Sequence, residues 1–330
     1  MSIRSCVIGL GSMGKNHVRV ASEIPGSTLV AGSDPSEKNR AALGRYGIEL
    51  FEDYRVMLDK VKPDIATLAV PTELHKEVAC DVMARGIHVM VEKPIAKTLA
   101  EADAMIETAA RYKVKLMVGH LERFNPAVQE IRRRVLEGEL GRIFQLHARR
   151  LSPFPARIQD VGVILDLATH DIDAMHFITG SKVVRAFAEV AQKAHKSCED
   201  MLSGLLRFES GEIGVLDVTW LSPWKLRELS VVGEGGMYVA DYLSQDLRWY
   251  KNGAVNYTWE PATHFSGAVE GDMIKTYIPK KEPLRVEHEA FVKCVLENTA
   301  AAVTGEDGRA ALSVALDLMQ AGRESSLITH

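Results

Sequence analysis

A chain of 330 residues, 46% hydrophobic and 25% charged, can bury a sizeable core and is longer than one typical domain, so two domains are expected. A formal net charge of -4 without long Lys/Arg blocks excludes a nucleic-acid footprint, and no apolar stretch reaches membrane-spanning length. The cysteines Cys6, Cys80, Cys198 and Cys294 are scattered without a C-x-x-C pair, and Met1–Ile8 lacks a signal-peptide pattern, which together favour a reducing, cytoplasmic setting.

The first third alternates short β-branched runs with helical stretches. Strands are predicted at Ser5–Ile8, Thr28–Ser33, Ile65–Leu68, His88–Val91 and Lys115–Val118, an alternation that makes a parallel sheet covered by helices. Between the first two lies Gly9-Leu10-Gly11-Ser12-Met13-Gly14, a glycine turn that follows a strand and opens a helix running to Glu23. Gly9 permits the turn, Gly11 lets a phosphate approach the backbone, and Gly14 lets helix pack on strand. Open N–H groups at the helix start, around Ser12 and Met13, would face a pyrophosphate. Asp34, twenty residues beyond Gly14, can accept bonds from a ribose and repels a 2′-phosphate, which favours NAD over NADP. Ser33 and Arg40 nearby leave room for weak NADP use.

Glu92-Lys93-Pro94 follows the fourth strand and so stands at a carboxyl end of the sheet, where ligands of open α/β folds bind. By itself it also reads as a surface turn before the helix that Thr98 and Glu101 open as a capping box. After Gly119 the texture changes, giving domains 1–120 and 121–330. Asn125–Glu137 is predicted as helix, Ile143–Ala148 as strand, and Asp166–Ile178 as a helix closed by Gly180. Asp166 and His170, four residues apart, share a helix face and could move a hydroxyl proton or form a local pair. Asp173 and His176 extend this cluster, but His176 falls on another face and hydride transfer to nicotinamide needs no metal, so none is expected.

From Val183 to Tyr257 the chain is mostly strand-like, as at Leu202–Phe208, Ile213–Trp220, Arg227–Val232 and Gly236–Ala240. Strands without intervening helices imply an antiparallel or mixed sheet in a second, α+β domain. Two helices close the chain, with core stripes at Phe291, Cys294 and Val295 and at Leu312, Ala315, Leu316 and Met319.

Taken in order, the glycine turn with His17, Pro71-Thr72 with His75, Glu92-Lys93-Pro94, and Asp166 with His170 resemble the Gfo/Idh/MocA family of sugar and cyclitol oxidoreductases, over nearly the whole chain. The resemblance implies an α/β protein. Its N-terminal Rossmann NAD-binding domain is followed by an α+β domain with a large, mainly antiparallel open sheet, used for substrate binding and for homodimer or homotetramer assembly. It further implies that Lys93 hydrogen-bonds the reacting hydroxyl and that His170 is the general base. Asp166 would orient that base or touch substrate, and Pro71, Thr72, His75 and Glu92 would line the nicotinamide ribose. For His75 a helix-surface role, and for His17 simple packing beside the glycine turn, stay open.

The substrate has to be read from the second half. His120, Arg123 and Asn125 sit where the domains join, and the cluster Arg149-Arg150 with Arg157 could bind a diphosphate through bidentate contacts, unless that basic cluster is a solvated face. These stretches, with 160–166, resemble a branch of the family that oxidises UDP-N-acetylglucosamine at C3 to the 3-keto nucleotide sugar. A myo-inositol or aldose dehydrogenase is the alternative within the family. A non-catalytic NAD-binding sensor is the alternative outside it, and Lys93, Asp166 and His170 together argue against that.

Overall fold

A computed structural model describes residues 2–155, 161–253 and 269–324. The chain forms two compact units, one of residues up to Phe124 together with Lys281–Ser313, the other of the described parts of Asn125–Lys280 and of the segment from Val314 onward.

The first unit runs β1 Ile3–Ile8, α1 Ser12–Ala21, β2 Ser27–Ser33, α2 Glu37–Ala41, β3 Glu49–Phe51, α3 Tyr54–Val61, β4 Ile65–Leu68, α4 His75–Ala84, β5 His88–Glu92, α5 Leu99–Tyr112 and β6 Leu116–Gly119. Its six strands are all parallel, in the order β3-β2-β1-β4-β5-β6. Every residue of β4 and of β6 is buried, as a sheet covered on both faces requires. The strand order reverses about β1, so the segments after β1 and β4 diverge and leave room for a ligand at the carboxyl edge. The expected capping box opens α5, where Glu101 N–H donates to Thr98 Oγ1 at 3.2 Å and Thr98 N–H to the Glu101 carboxylate at 3.2 Å. The short edge strand β3 carries too few residues to show a period in the sequence.

The second unit begins with α6 Pro126–Leu136 and β7 Ile143–Leu151. A π-helical turn, Ile164–Ala168, then runs into α7 Thr169–Thr179, which Gly180 ends at φ 67°. Seven strands follow: β8 Val183–Ala191, β9 Met201–Phe208, β10 Ile213–Thr219, β11 Leu226–Gly233, β12 Gly236–Asp241, β13 Asp246–Gly253 and β14 Val269–Thr276. With β7 they make a sheet ordered β14-β13-β12-β11-β7-β10-β9-β8, antiparallel except where β7 and β10 run parallel. Alternation sets its two faces: along β9 Leu202, Gly204, Leu206 and Phe208 are buried while Met201 and Leu205 are exposed. β14 lies beyond the strand-like stretch read from the sequence, whose last residues, 254–257, fall outside the described ones.

The last two helices are α8 Pro283–Leu296 and α9 Gly305–Glu324. The second domain, expected as 121–330, is therefore interrupted, because α8 and the start of α9 belong with the first unit. The reason is packing: α8 buries Phe291, Val292 and Cys294 and lies against α1 and the short turn Leu121–Phe124. In α9 the buried stripe contains Leu312, Val314, Ala315 and Leu318, with Leu316 and Met319 at its margins.

Candidate active site

In the first unit the residues after β1, β2 and β4 enclose a cavity of about 780 Å³, lined by Gly9, Gly11, Asp34, Asn39, Val70 and Pro71 among others. Each glycine is there for a different steric reason. Gly9 sits at φ 87°, and a Cβ on it would lie 2.6 Å from the Ala69 carbonyl. A Cβ on Gly14 would lie 1.9 Å from Gly9 O, so helix and turn could not close on each other, whereas Gly11 faces open space. Gly11 is also the N-cap of α1 with no capping side chain, and the first turn, beginning Ser12-Met13, holds no acidic residue. Its N–H groups suit an anion.

Asp34, buried at the end of β2, is set by Leu10 N–H at 2.7 Å, Ser36 N–H at 2.8 Å and the Asn39 amide at 3.2 Å. The adjacent Arg40 donates to Asp34 O at 2.7 Å and to Pro35 O at 3.0 Å. These bonds tie Arg40 to main-chain carbonyls beside the Asp34 carboxylate.

At the end of β5 Glu92 is buried, and Lys93 after it is half-buried. His17 Nε2 lies 2.8 Å from Glu92 Oε1, and the Lys93 N–H donates to the other carboxylate oxygen at 3.2 Å. On its far side His17 Nδ1 lies 2.8 Å from His288 Nε2 on α8. Burial pushes the Glu92 carboxyl up, but the His17 hydrogen bond and charge, with Lys93 and His75 nearby, outweigh it and hold the group below the usual carboxylate range. Burial, with His17 adding to it, pushes His288 well below the ordinary histidine value. His75 is buried rather than on a helix surface, bridging Pro94 O and Val70 O at 3.0 Å each, and burial lowers its pKa as well. Thr72 opens the short turn before α4, next to Pro71.

In the second unit Asp166 lies within the π-helical turn and His170 in the first turn of α7, the latter buried. A π turn interrupts regular α geometry and is common at functional sites. Glu199 holds its start, accepting Ile164 N–H at 3.2 Å, and the neighbouring Gly162 has no room for a Cβ, which would fall 2.0 Å from that carboxylate. Next to His170, Asp171 takes a bidentate bond from Arg150, Nε to Oδ2 at 2.7 Å and Nη2 to Oδ1 at 2.9 Å, with both side chains buried. The pair fixes α7 on the sheet.

The two neighbouring arginines of the basic cluster on β7 point to opposite faces of the sheet. Arg150 is in register with buried Leu146 and Ala148 and so faces α7, whereas Arg149 pairs across strands with Asp217 and Glu228 on the opposite face, 3.7 Å from Asp217. Arg149 is thus not brought together with His170. Directly across from Arg150 stands Arg227 of β11, preceded by Lys225, and neither was singled out from the sequence. The like charge of Arg227, then burial and Arg150, push the Lys225 pKa down. Period-two alternation along β7 and β11 was the signal that could have found them. Arg157 lies outside the described residues.

The joining segment has structural work. Arg123 is buried against Asp307, Nη2 to Oδ1 at 3.1 Å. Asn125 caps α6, accepting Ala127 N–H at 3.1 Å and donating to Tyr242 O at 3.1 Å. His120 is buried directly after β6.

Comparison with known proteins agrees with this geometry. Residues 3–120 match the family profile described as the Gfo/Idh/MocA oxidoreductase family, NAD-binding Rossmann fold, and residues 128–239 match the C-terminal domain of the same family. UDP-N-acetylglucosamine 3-dehydrogenase of Acidithiobacillus ferrooxidans is 28% identical over 96% of each chain. The solved structure of that enzyme superposes with a TM-score of 0.85 at 25% identity, covering 97% of this chain and 98% of the other. Myo-inositol 2-dehydrogenase of Thermotoga maritima is 27% identical over 94% of this chain and 93% of its own.

Proposed function

The chain belongs to the Gfo/Idh/MocA family of NAD-binding oxidoreductases, and on that premise we propose that it oxidises the C3 hydroxyl of UDP-N-acetylglucosamine to the 3-keto nucleotide sugar. Bound NAD supplies the hydride acceptor. The Lys93 ammonium donates to the reacting hydroxyl oxygen and stabilises the charge that builds on it. His170 takes the hydroxyl proton as general base, and Asp166 orients that imidazole or the sugar. One hydride and one proton leave the carbinol, and a ketone remains.

The observation that carries the nucleotide-sugar reading is the cationic strip on the α7 side of the second sheet. Arg150 bonds Asp171, Arg227 stands directly across from it on β11, and Lys225 lies two residues before Arg227. Three cations so gathered offer a diphosphate charge-assisted bonds. Similarity to a UDP-N-acetylglucosamine 3-dehydrogenase over nearly its full length supports the same reading. The exposed Phe187 and Leu205, paired across β8 and β9 on the open face of the sheet, suit assembly as a homodimer or homotetramer.

Mixing the protein with NAD and UDP-N-acetylglucosamine, myo-inositol or free sugars, and following NADH absorbance, tests the proposal. NADH from the nucleotide sugar alone supports it, while turnover of myo-inositol instead assigns the chain to the inositol dehydrogenases of the family.

A further inference from the structure

We propose that His288 is a positioning residue of the hydride-transfer site, acting through His17 to fix the Glu92 carboxylate and with it the loop that carries Lys93. His288 stands 271 residues after His17, on a helix whose sequence otherwise reads as core. The chain of contacts is short and buried: His288 Nε2 to His17 Nδ1 at 2.8 Å, His17 Nε2 to Glu92 Oε1 at 2.8 Å, and Lys93 N–H to the second Glu92 oxygen at 3.2 Å.

Donor and acceptor roles follow from the ends of the chain. An ionised carboxylate only accepts, so His17 carries its hydrogen on Nε2. The opposite ring nitrogen, Nδ1, meets His288 Nε2, so the imidazole is held at both ends and His288 fixes the direction in which Nε2–H points. Without His288 the ring loses its second anchor and is free to turn away from Glu92, which loosens the bond that holds the carboxylate. Three elements are locked together this way: α1, which opens at the dinucleotide turn, the loop after β5, and α8. This also gives a chemical reason for the return of residues 281–313 to the first unit.

The catalytic consequence rests on the role given above to Lys93, whereas the anchoring of His17 does not. In protein labelled with 15N-histidine, the ring spectrum of the wild type is expected to show a hydrogen on His17 Nε2 that exchanges slowly with water. His288→Leu should speed that exchange and lower kcat about 10- to 100-fold, with the NADH Kd, read by its fluorescence, changed less than about threefold. His288→Gln, whose amide can donate or accept at the Nε2 position, should restore both the slow exchange and most of kcat. The proposal is overturned if wild-type His17 carries no hydrogen on Nε2, a result that needs no variant to fold. It is also overturned if His288→Leu leaves the exchange and kcat unchanged, or if Leu and Gln lose kcat, NADH affinity and Tm alike. Failure of the Lys93 role shows separately, as an unchanged rate in Lys93→Met.

Discussion

The two units present their functional groups in different ways. In the first, Gly9, Asp34, Pro71 and Lys93 each follow a strand, and because the strands are parallel all of these positions emerge along one edge. In the second, Asp166 and His170 belong to a helix laid on a sheet, and the matching cations belong to the sheet face beneath it. An edge is reached by whatever follows a strand, so local motifs describe it. A face is reached only by residues of the right phase, so of the adjacent pair on β7 Arg150 reaches the α7 side and Arg149 the other.

The largest effect is expected at the edge. Lys93→Met should cut kcat by about 10²- to 10⁴-fold, as loss of a proton-transfer group does, with NADH binding retained. A mutant with unchanged kcat would remove the edge from the chemistry. On the face, Asp171→Ala leaves the Arg150 guanidinium buried without its partner and should cost about 3–5 kcal/mol of stability, seen as a lower Tm. Replacing both as Arg150→Met with Asp171→Leu should recover much of that, since two apolar side chains of similar size need no compensation.

Substrate affinity sharpens the contrast between the two faces. Arg227→Ala should raise KM for UDP-N-acetylglucosamine about tenfold or more through a lost charge-assisted bond, whereas Arg149→Ala should change kcat/KM less than about twofold. Arg149 and Asp217 are 41% exposed each, and ion pairs of that kind are worth about 0–1 kcal/mol. Equal effects from the two substitutions would erase the distinction between the faces.

The smallest effect is on stability against pH. His288 and His75 are held below the ordinary value, so the folded state binds fewer protons than the unfolded chain between those lowered values and about 6.5. Their contribution is present above about 6.5 and is lost as pH falls through that window. The titratable group acting on His288 is His17, and the one acting on His75 is Glu92. Tm should fall as pH drops from 7.5 to 5, with a shallower slope in His288→Gln. An identical slope would place the acid sensitivity elsewhere.

How much of this was legible in the sequence follows the same division. The glycine turn, Asp34 and Glu92-Lys93-Pro94 are contiguous words whose spacing states their geometry, and the strands that carry them were found within a few residues. His17 was read only as a neighbour of the glycine turn, because its partner His288 lies on a helix whose stripe shows that it is buried and not against what. The same gap misplaced residues 281–313. The π turn at Ile164–Ala168 was invisible because Asp166–Ala168 read as the start of an ordinary helix and Ile164-Leu165 as the stretch before it. Arg123 and Asn125 were chosen for their charge and position, while their contacts with Asp307 and with the start of α6 could not be read from spacing.

NADH formation from NAD with UDP-N-acetylglucosamine, set beside myo-inositol under identical conditions, tests the central claim most directly. The account predicts a kcat/KM for the nucleotide sugar at least about 100-fold above that for myo-inositol, about the ratio that 2.7 kcal/mol of diphosphate contacts supplies. Turnover of myo-inositol with no NADH from the nucleotide sugar would contradict it.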